Sequence, residues 1–185
     1  MPKQCQVTIE SIGRGMLLNN PAKMFEKKTA TRKVSSPQED AEKSCYWNKD
    51  HTELCLPGDN IKAGLRDASV GLKVPSAKKL SLKPIILGDV SILEAMIGFG
   101  TNKYLIDTRR AGIGKNGVPR SRAWLPNWKL TFNVAWETSL LGEDFHEDVL
   151  PTLLAILGER IGLGDFRMAC GGSFGKFRIV KIKLV

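Results

Sequence analysis

The periodic segments of this 185-residue chain fall in the order strand, helix, strands, strand, helix, strand. That order predicts an α+β fold of the ferredoxin-like βαββαβ type, an antiparallel sheet carrying both helices on one face. Two observations carry the prediction. Leu130, Phe132, Val134 and Trp136 alternate with Lys129, Thr131, Asn133 and Ala135, which is the period of a half-buried strand. Two amphipathic stretches, one after Pro57-Gly58 and one from Glu147 to Ile161, have the spacing of helices. The length suits one good core or two small ones, no internal repeat is visible, and the reading is a single domain over 1–185.

Val7 and Ile9 alternate with Gln6, Thr8 and Glu10, giving a first strand that Gly13-Arg14-Gly15 ends. From Lys27 to Lys43 the chain is polar and without periodicity, so a long mobile loop is expected over 27–43. Tyr46-Trp47 and Glu53-Leu54-Cys55 flank a turn and form a small hairpin. Pro57-Gly58 then turns the chain, Asp59 is placed to cap a helix, and Ile61, Leu65 and Ala68 give that helix its apolar face. Lys73 to Lys83 reads as a basic connector, Pro84-Ile85-Ile86-Leu87 as a buried strand, and Ile92 to Phe99 as a short helix or a strand. Tyr104–Ile113 and Val118–Trp124 flank Gly114-Lys115-Asn116-Gly117. Asn-Gly suits a tight turn, so a long basic hairpin is expected over 104–124. The second helix starts near Asp148, because Pro151 fits only its first turn. Its stripe is Val149, Leu153, Ile156, Leu157 and Ile161. A glycine-rich loop from Gly162 to Gly175 and a last strand, Lys176 to Leu184, close the chain.

The net charge of +9 draws a protein to polyanions: nucleic acid, an anionic membrane surface or an acidic partner. The charge is segregated. Between Lys103 and Lys129 seven cations (Lys103, Arg109, Arg110, Lys115, Arg120, Arg122, Lys129) face Asp107 alone, and Arg167 to the end holds five cations and no acid. Glu143 to Asp165, by contrast, holds six acids against Arg160. A basic side on hairpin and loop elements is the footprint of phosphate binding, and the bare face of such a sheet is where RNA-recognition (RRM) domains bind single strands. No apolar run is long enough to span a bilayer and no signal core opens the chain. Cys5, Cys45, Cys55 and Cys170 show no C-x-x-C spacing, and the expected setting is the reduced cytoplasm.

Each motif has a plain alternative. Lys62 and Arg66, four apart, line one edge of the first helix, as in many surface helices. In Arg120-Ser121-Arg122-Ala123-Trp124 cations alternate with an indole, and Trp124 either stacks on a base or belongs to the core, where Trp136 is expected. Gly112 to Gly117 matches G-x-G-x-x-G, but Val118-Pro119 follows where a dinucleotide site needs a helix. Cys45, His51 and Cys55 match no standard zinc spacing, and no metal or cofactor is expected. His146, beside an acidic helix start, is expected to be solvated. His51, in a polar turn, is the one candidate for general acid–base catalysis, and no nucleophile or partner is identifiable near it.

Leu56-Pro57-Gly58-Asp59-Asn60-Ile61-Lys62-Ala63-Gly64-Leu65-Arg66 resembles the Pro-Gly-Ser-Ser-x-Lys-Gly-x-Leu-Arg helix start of the RAMP superfamily of CRISPR-associated RNA-binding proteins. The loop Gly162 to Gly175 resembles that superfamily's C-terminal glycine-rich loop, and Val7 to Ile12 its first strand. The resemblance implies a palm that grips single-stranded RNA, backbone subunits that polymerise along a guide, and a β-hairpin thumb, for which the hairpin around Asn116-Gly117 is one candidate. It implies RNA contacts at Lys62 and Arg66, and close backbone approach at Gly171, Gly172 and Gly175. Asp59-Asn60 departs from the usual pair of small hydroxyls. Gly13 to Val34 contains Glu26 but no Asp, whereas target-cleaving members carry an acidic residue there.

The leading expectation is a non-catalytic subunit whose nucleic-acid contacts are Lys62, Arg66, Arg109, Arg110, Lys115, Arg120, Arg122, Trp124, Arg167, Gly171, Gly172, Gly175 and Lys176. Its partners would be single-stranded RNA or single-stranded DNA and other copies of itself or sibling subunits, with no membrane. The alternatives are a processing ribonuclease of the same superfamily using His51, and a RAMP-like fold serving as an assembly or inhibitor protein.

Overall fold

A computed structural model describes residues 2–21, 36–113 and 116–185, with the side chains of 111–118 excepted. Its main sheet has four strands in the order β11-β1-β10-β6, where β1 is Lys3–Ser11, β6 Val90–Ile92, β10 Lys129–Trp136 and β11 Phe177–Leu184. All three pairings are antiparallel. With helix α2 (Gly58–Ala68) between β1 and β6, and helices α5 (Phe145–Asp148) and α6 (Leu150–Ile156) between β10 and β11, this is the ferredoxin-like fold that the pattern predicts. Alternation decides the faces. Cys5, Val7, Ile9, Leu130, Phe132 and Val134 are buried toward the helices together with Ile61, Leu65, Leu153 and Leu157.

Two excursions decorate this frame. Between β1 and α2 lie β2 (Met16–Leu17), helix α1 (Pro37–Ser44) and β3 (Cys55–Pro57). Between β6 and β10 lie β7 (Met96–Gly98) and the hairpin β8 (Leu105–Ile113) and β9 (Asn116–Leu125). β2, β9 and β8 form a second, three-stranded sheet. Tyr46 to Cys55 is the expected small hairpin, with the amide of Cys55 donating to the carbonyl of Tyr46.

Several expectations change. The part of the expected loop from Pro37 on is helix α1, while 27–35 lies outside the described residues. Ser36 and Glu39 form a reciprocal capping box, and Pro37 fits the first turn. The helix escapes a periodicity search because it docks through small residues. Ser44 Oγ donates to the carbonyl of Ala41 and accepts from the amide of Ala123 in β9 at 2.8 Å. Pro84-Ile85-Ile86-Leu87 is helical, within α3 (Leu82–Asp89). Leu82 and Ile86 supply its buried face, and Pro84 sits in the first turn, where its missing amide costs no helical bond. A short apolar run does not distinguish a strand from a buried helix, and the sheet's second strand is β6 instead. Lys73 to Ser81 is no open connector but a short pair, β4 (Lys73–Val74) and β5 (Ala77–Ser81).

Asp59 does not cap α2. Pro57 holds the cap position, without a side-chain bond, because β3 pairs with β7 up to Pro57 and Met96 and so sets where the helix begins. In the basic hairpin Gly112 pairs with Gly117 and Ile113 with Asn116. Asn116-Gly117 therefore belongs to β9 and is not the turn, and 114–115 lie outside the described residues. The second helix runs as α5, α6 with Pro151 in its first turn, and a π-helical turn over Leu157–Ile161. Its buried side is Val149, Leu150, Leu153, Leu154 and Leu157, so the expected stripe holds at Val149, Leu153 and Leu157, while Ile156 and Ile161 are only half-buried.

Candidate nucleic-acid interface

The amphipathic face of α2 packs on the turn that follows α6, and Gly64 is the contact. A Cβ there would lie 2.5 Å from Leu157 Cδ1, so a larger residue would have to displace the Leu157 side chain at this close approach. The crossing leaves a cleft of about 290 Å³ between three pieces distant in sequence. Asn60, Ala63 and Arg66 come from α2, Leu18 and Asn19 from the loop after β2, and Gly162–Asp165 with Arg167 from the glycine-rich loop.

The Arg66 guanidinium is about a third exposed and bonds to its neighbour Asp67 at 2.7 Å. Arg167 lines the cleft from the glycine-rich loop, and its Nε is buried with no hydrogen-bond partner among the described residues. Lys62, one turn before Arg66, is half-buried and does not line the cleft. It has no ion-pair partner among the described residues.

Two of the expected phosphate-binding arginines have internal partners. Arg109 makes a two-pronged contact with Asp107, its Nη2 donating to Oδ2 at 3.0 Å, and lies 4.6 Å above the Phe174 ring. The Asp107 hydrogen bond raises the guanidinium pKa above its ordinary value, ahead of a smaller opposing effect of burial. Arg122, with a side chain 15% exposed, pairs with Asp165 and lies 5.1 Å above Phe166. Arg122 thus fastens the β8–β9 hairpin to the glycine-rich loop by charge and by cation–π contact, whereas Arg109 reaches the loop by cation–π contact and has its charge partner on its own strand. The sequence reading missed Asp165, Phe166 and Phe174 as their partners. The only signal was two phenylalanines in a loop that, apart from Leu163 and Met168, is made of small and polar residues.

Arg110 is exposed on β8, Arg120 is half-buried on β9, and Lys115 lies outside the described residues. Trp124 is half-buried, with its Nε1 donating to the carbonyl of Arg14 at 2.7 Å. Its indole edge is thus engaged within the fold. Trp136 is core, as its strand position implies. Lys176 is half-buried, and its carbonyl accepts from the amide of Ile12.

Of the three glycines, only Gly171 faces open space, in a left-handed conformation at φ 75°. A Cβ on Gly172 would meet the carbonyl oxygen of Phe166, and one on Gly175 that of Leu163. Those two glycines let the loop fold back on itself, a requirement of the chain's own packing.

His51 is exposed in its turn at φ 57° and stacks on Trp47 with ring centres 5.1 Å apart. Cys45 and Cys55 are buried, and burial followed by the Glu53 charge pushes the Cys55 thiol pKa up. Among the described residues no three His, Cys, Asp or Glu side chains converge on a metal-binding arrangement. His146 departs from expectation. It is 9% exposed and stacked on Trp136 at 5.6 Å, because the turn into α5 folds it beneath the sheet's last residue. Glu26 lies outside the described residues. No helix is long and apolar enough to cross a membrane among them.

The architecture is thus a ferredoxin-like α+β fold with a cleft between its first helix and a C-terminal glycine-rich loop. No protein-family model matches the chain, and no curated protein sequence matches it. Among solved structures it is similar to a chain in "Cryo-EM structure of the Type III-B Cmr-beta bound to cognate target RNA", with a TM-score of 0.61 and 16% identity. The match covers 100% of this chain and 61% of that one. At that identity the likeness is one of fold, and the chain spans about three-fifths of the neighbour's length.

Proposed function

We propose that this chain is a non-catalytic RAMP-like subunit, built as one domain, that holds single-stranded RNA by its backbone within a CRISPR-type effector complex. The carrying observation is convergence. The α2 motif and the glycine-rich loop lie about a hundred residues apart in sequence, yet both line one cleft, Arg66 from α2 and Arg167 from the loop. Two guanidiniums lining one cleft suit a phosphodiester, which accepts paired N–H bonds from each. Contacts to phosphate position a strand without reading its sequence. The fold shared with a chain from an RNA-bound effector complex supports this reading, and so does the net charge of +9.

In this reading the β8–β9 hairpin is the thumb, braced by the Arg109 and Arg122 contacts, with Arg110 and Arg120, next to and opposite Arg109, left to meet RNA. Sibling subunits or further copies of the chain are its protein partners. The test is fluorescence anisotropy with a labelled single-stranded RNA at several salt concentrations. Arg66→Ala combined with Arg167→Ala is expected to weaken binding by tenfold or more, with the melting temperature little changed. Wild-type affinity in that double variant sinks the assignment.

A further inference from the structure

The face of the main sheet turned away from the helices has a feature that the cleft does not use. β11 carries an extra residue against β1. Thr8 pairs with Lys181 and Ile9 with Ile179, leaving Val180 as a bulge. Without it, strict alternation would put Lys181 and Lys183 on the helix side of the sheet, out of step with Arg178. With it, Phe177, Ile179 and Ile182 turn inward, while Arg178, Lys181 and Lys183 all turn outward and are exposed. A bulge that re-aims side chains in this way is a built feature.

The columns beside these cations are polar. Arg178, Lys181 and Lys183 lie opposite Glu10, Thr8 and Gln6 of β1, which lie opposite Lys129, Thr131 and Asn133 of β10. Glu10 is the one acid among these nine residues, and it bonds to Arg178 at 2.6 Å. Lys129, Lys181 and Lys183 have no ion-pair partner among the described residues. No aromatic side chain stands among the nine, so they offer no platform for stacked bases; the Glu94 carboxylate, which accepts from the amide and side chain of Asn133, and the exposed Leu93 border them on the β6 side, away from β11. Lysines on an edge strand also discourage edge-to-edge pairing. That role accounts for β11, but not for Lys129, which lies two strands further in.

We infer that this outer sheet face is a second nucleic-acid surface, separate from the α2 cleft, which holds a phosphodiester backbone by charge alone. The ligand lies along β11, against cations that the bulge brings into one column. The surface stands on charge and register and does not depend on the RAMP-like reading of the cleft.

The test uses the full chain with a single-stranded oligouridylate and a duplex of equal length, titrated by anisotropy from low to physiological salt. Each cation that no longer neutralises a phosphate of a single strand should lower the slope of log K against log salt by roughly 0.7. With Arg178 held by Glu10, R178Q/K181Q/K183Q is therefore expected to reduce that slope by roughly 1.4 from the two unpaired lysines, while R178K/K181R/K183R keeps it. The duplex should lose affinity in the triple glutamine variant as well, since backbone charge is what the face reads. In the wild type, bound oligonucleotide should protect Lys181 and Lys183 from acetylation. An unchanged slope in the folded glutamine variant, or unprotected lysines, overturns the proposal and leaves an acidic protein surface as the occupant. If R66A/R167A binds normally while the glutamine variant loses its slope, the cleft assignment fails and this one stands.

Discussion

Arg122 and Arg66 look alike in sequence, each a basic residue on an amphipathic element, and the fold gives them different work. Arg122 is enclosed by Asp165 and Phe166. Replacing it with alanine leaves the half-buried Asp165 carboxylate without its ion-pair partner and should cost about 2 kcal/mol of stability, the scale of leaving a buried polar group unpaired, read by denaturant unfolding. Arg122→Lys should recover only part of that, because an ammonium cannot both stack flat on the ring and meet the carboxylate. Arg66 holds only its neighbour Asp67 and is open to the cleft. Its removal should stay within about 0.5 kcal/mol in stability while weakening RNA binding. If Arg66→Ala unfolds the protein and Arg122→Ala only weakens binding, the two roles have been assigned the wrong way round.

Among the elements, α1 is the least regular in sequence and is joined to the second sheet by specific contacts. Its capping box should make Ser36→Ala cost about 1 kcal/mol. Ser44→Ala should cost about 1–3 kcal/mol by leaving the buried Ala123 amide unpaired. Both are measurable as shifts in chemical denaturation. Just before β8, Tyr104 donates to Glu42 of α1 at 2.5 Å. Burial, and then this bond, raise the phenol pKa well above its ordinary value. A raised folded-state pKa means that the folded protein holds the proton more tightly than the unfolded chain. The contribution is therefore complete below the ordinary phenol pKa of about 10 and is lost as pH rises above it. Melting temperatures from pH 8 to 11 should fall more steeply for the wild type than for Tyr104→Phe. Parallel curves would show that the phenol is not held by this contact.

For the whole molecule, the helix layer and the glycine-rich loop share one weak point, the crossing at Gly64. Gly64→Val puts side-chain atoms into Leu157 and should destabilise by about 1–3 kcal/mol through overpacking. It should also weaken RNA binding, since it displaces α2 from the rest of the cleft lining. Loss of stability with full RNA affinity would separate the cleft from the crossing. The frame itself was legible in the sequence. Strands β1 and β10 show clean alternation, α2 shows a 3.6-residue stripe, and the order of elements predicts their sheet. α1 and α3 were not legible for opposite reasons. One docks through Ala41 and Ser44 and has no apolar stripe, whereas the other is a short apolar run that suits either secondary structure.

The residue pattern alone establishes which faces are buried, because periodicity follows directly from the geometry of strand and helix. It also establishes the excess of cations, the charged hairpin and the glycine-rich end. Folding determines which of those cations are free. Arg122 is bound by Asp165, and both it and Arg109 lie on phenylalanine rings, partners that only folding brings near them, whereas Asp107 is two residues from Arg109 on the same strand. Gly172 and Gly175 serve the loop's contact with its own backbone. Arg66 and Arg167, about a hundred positions apart, share a cleft because α2 and the last loop pack on the same end of one sheet. The outward phase of Lys181 and Lys183 rests on a one-residue bulge, a register shift visible only once β11 is paired with β1. Local pattern is a property of neighbouring residues, whereas pairing of charges and register depend on contacts between distant segments.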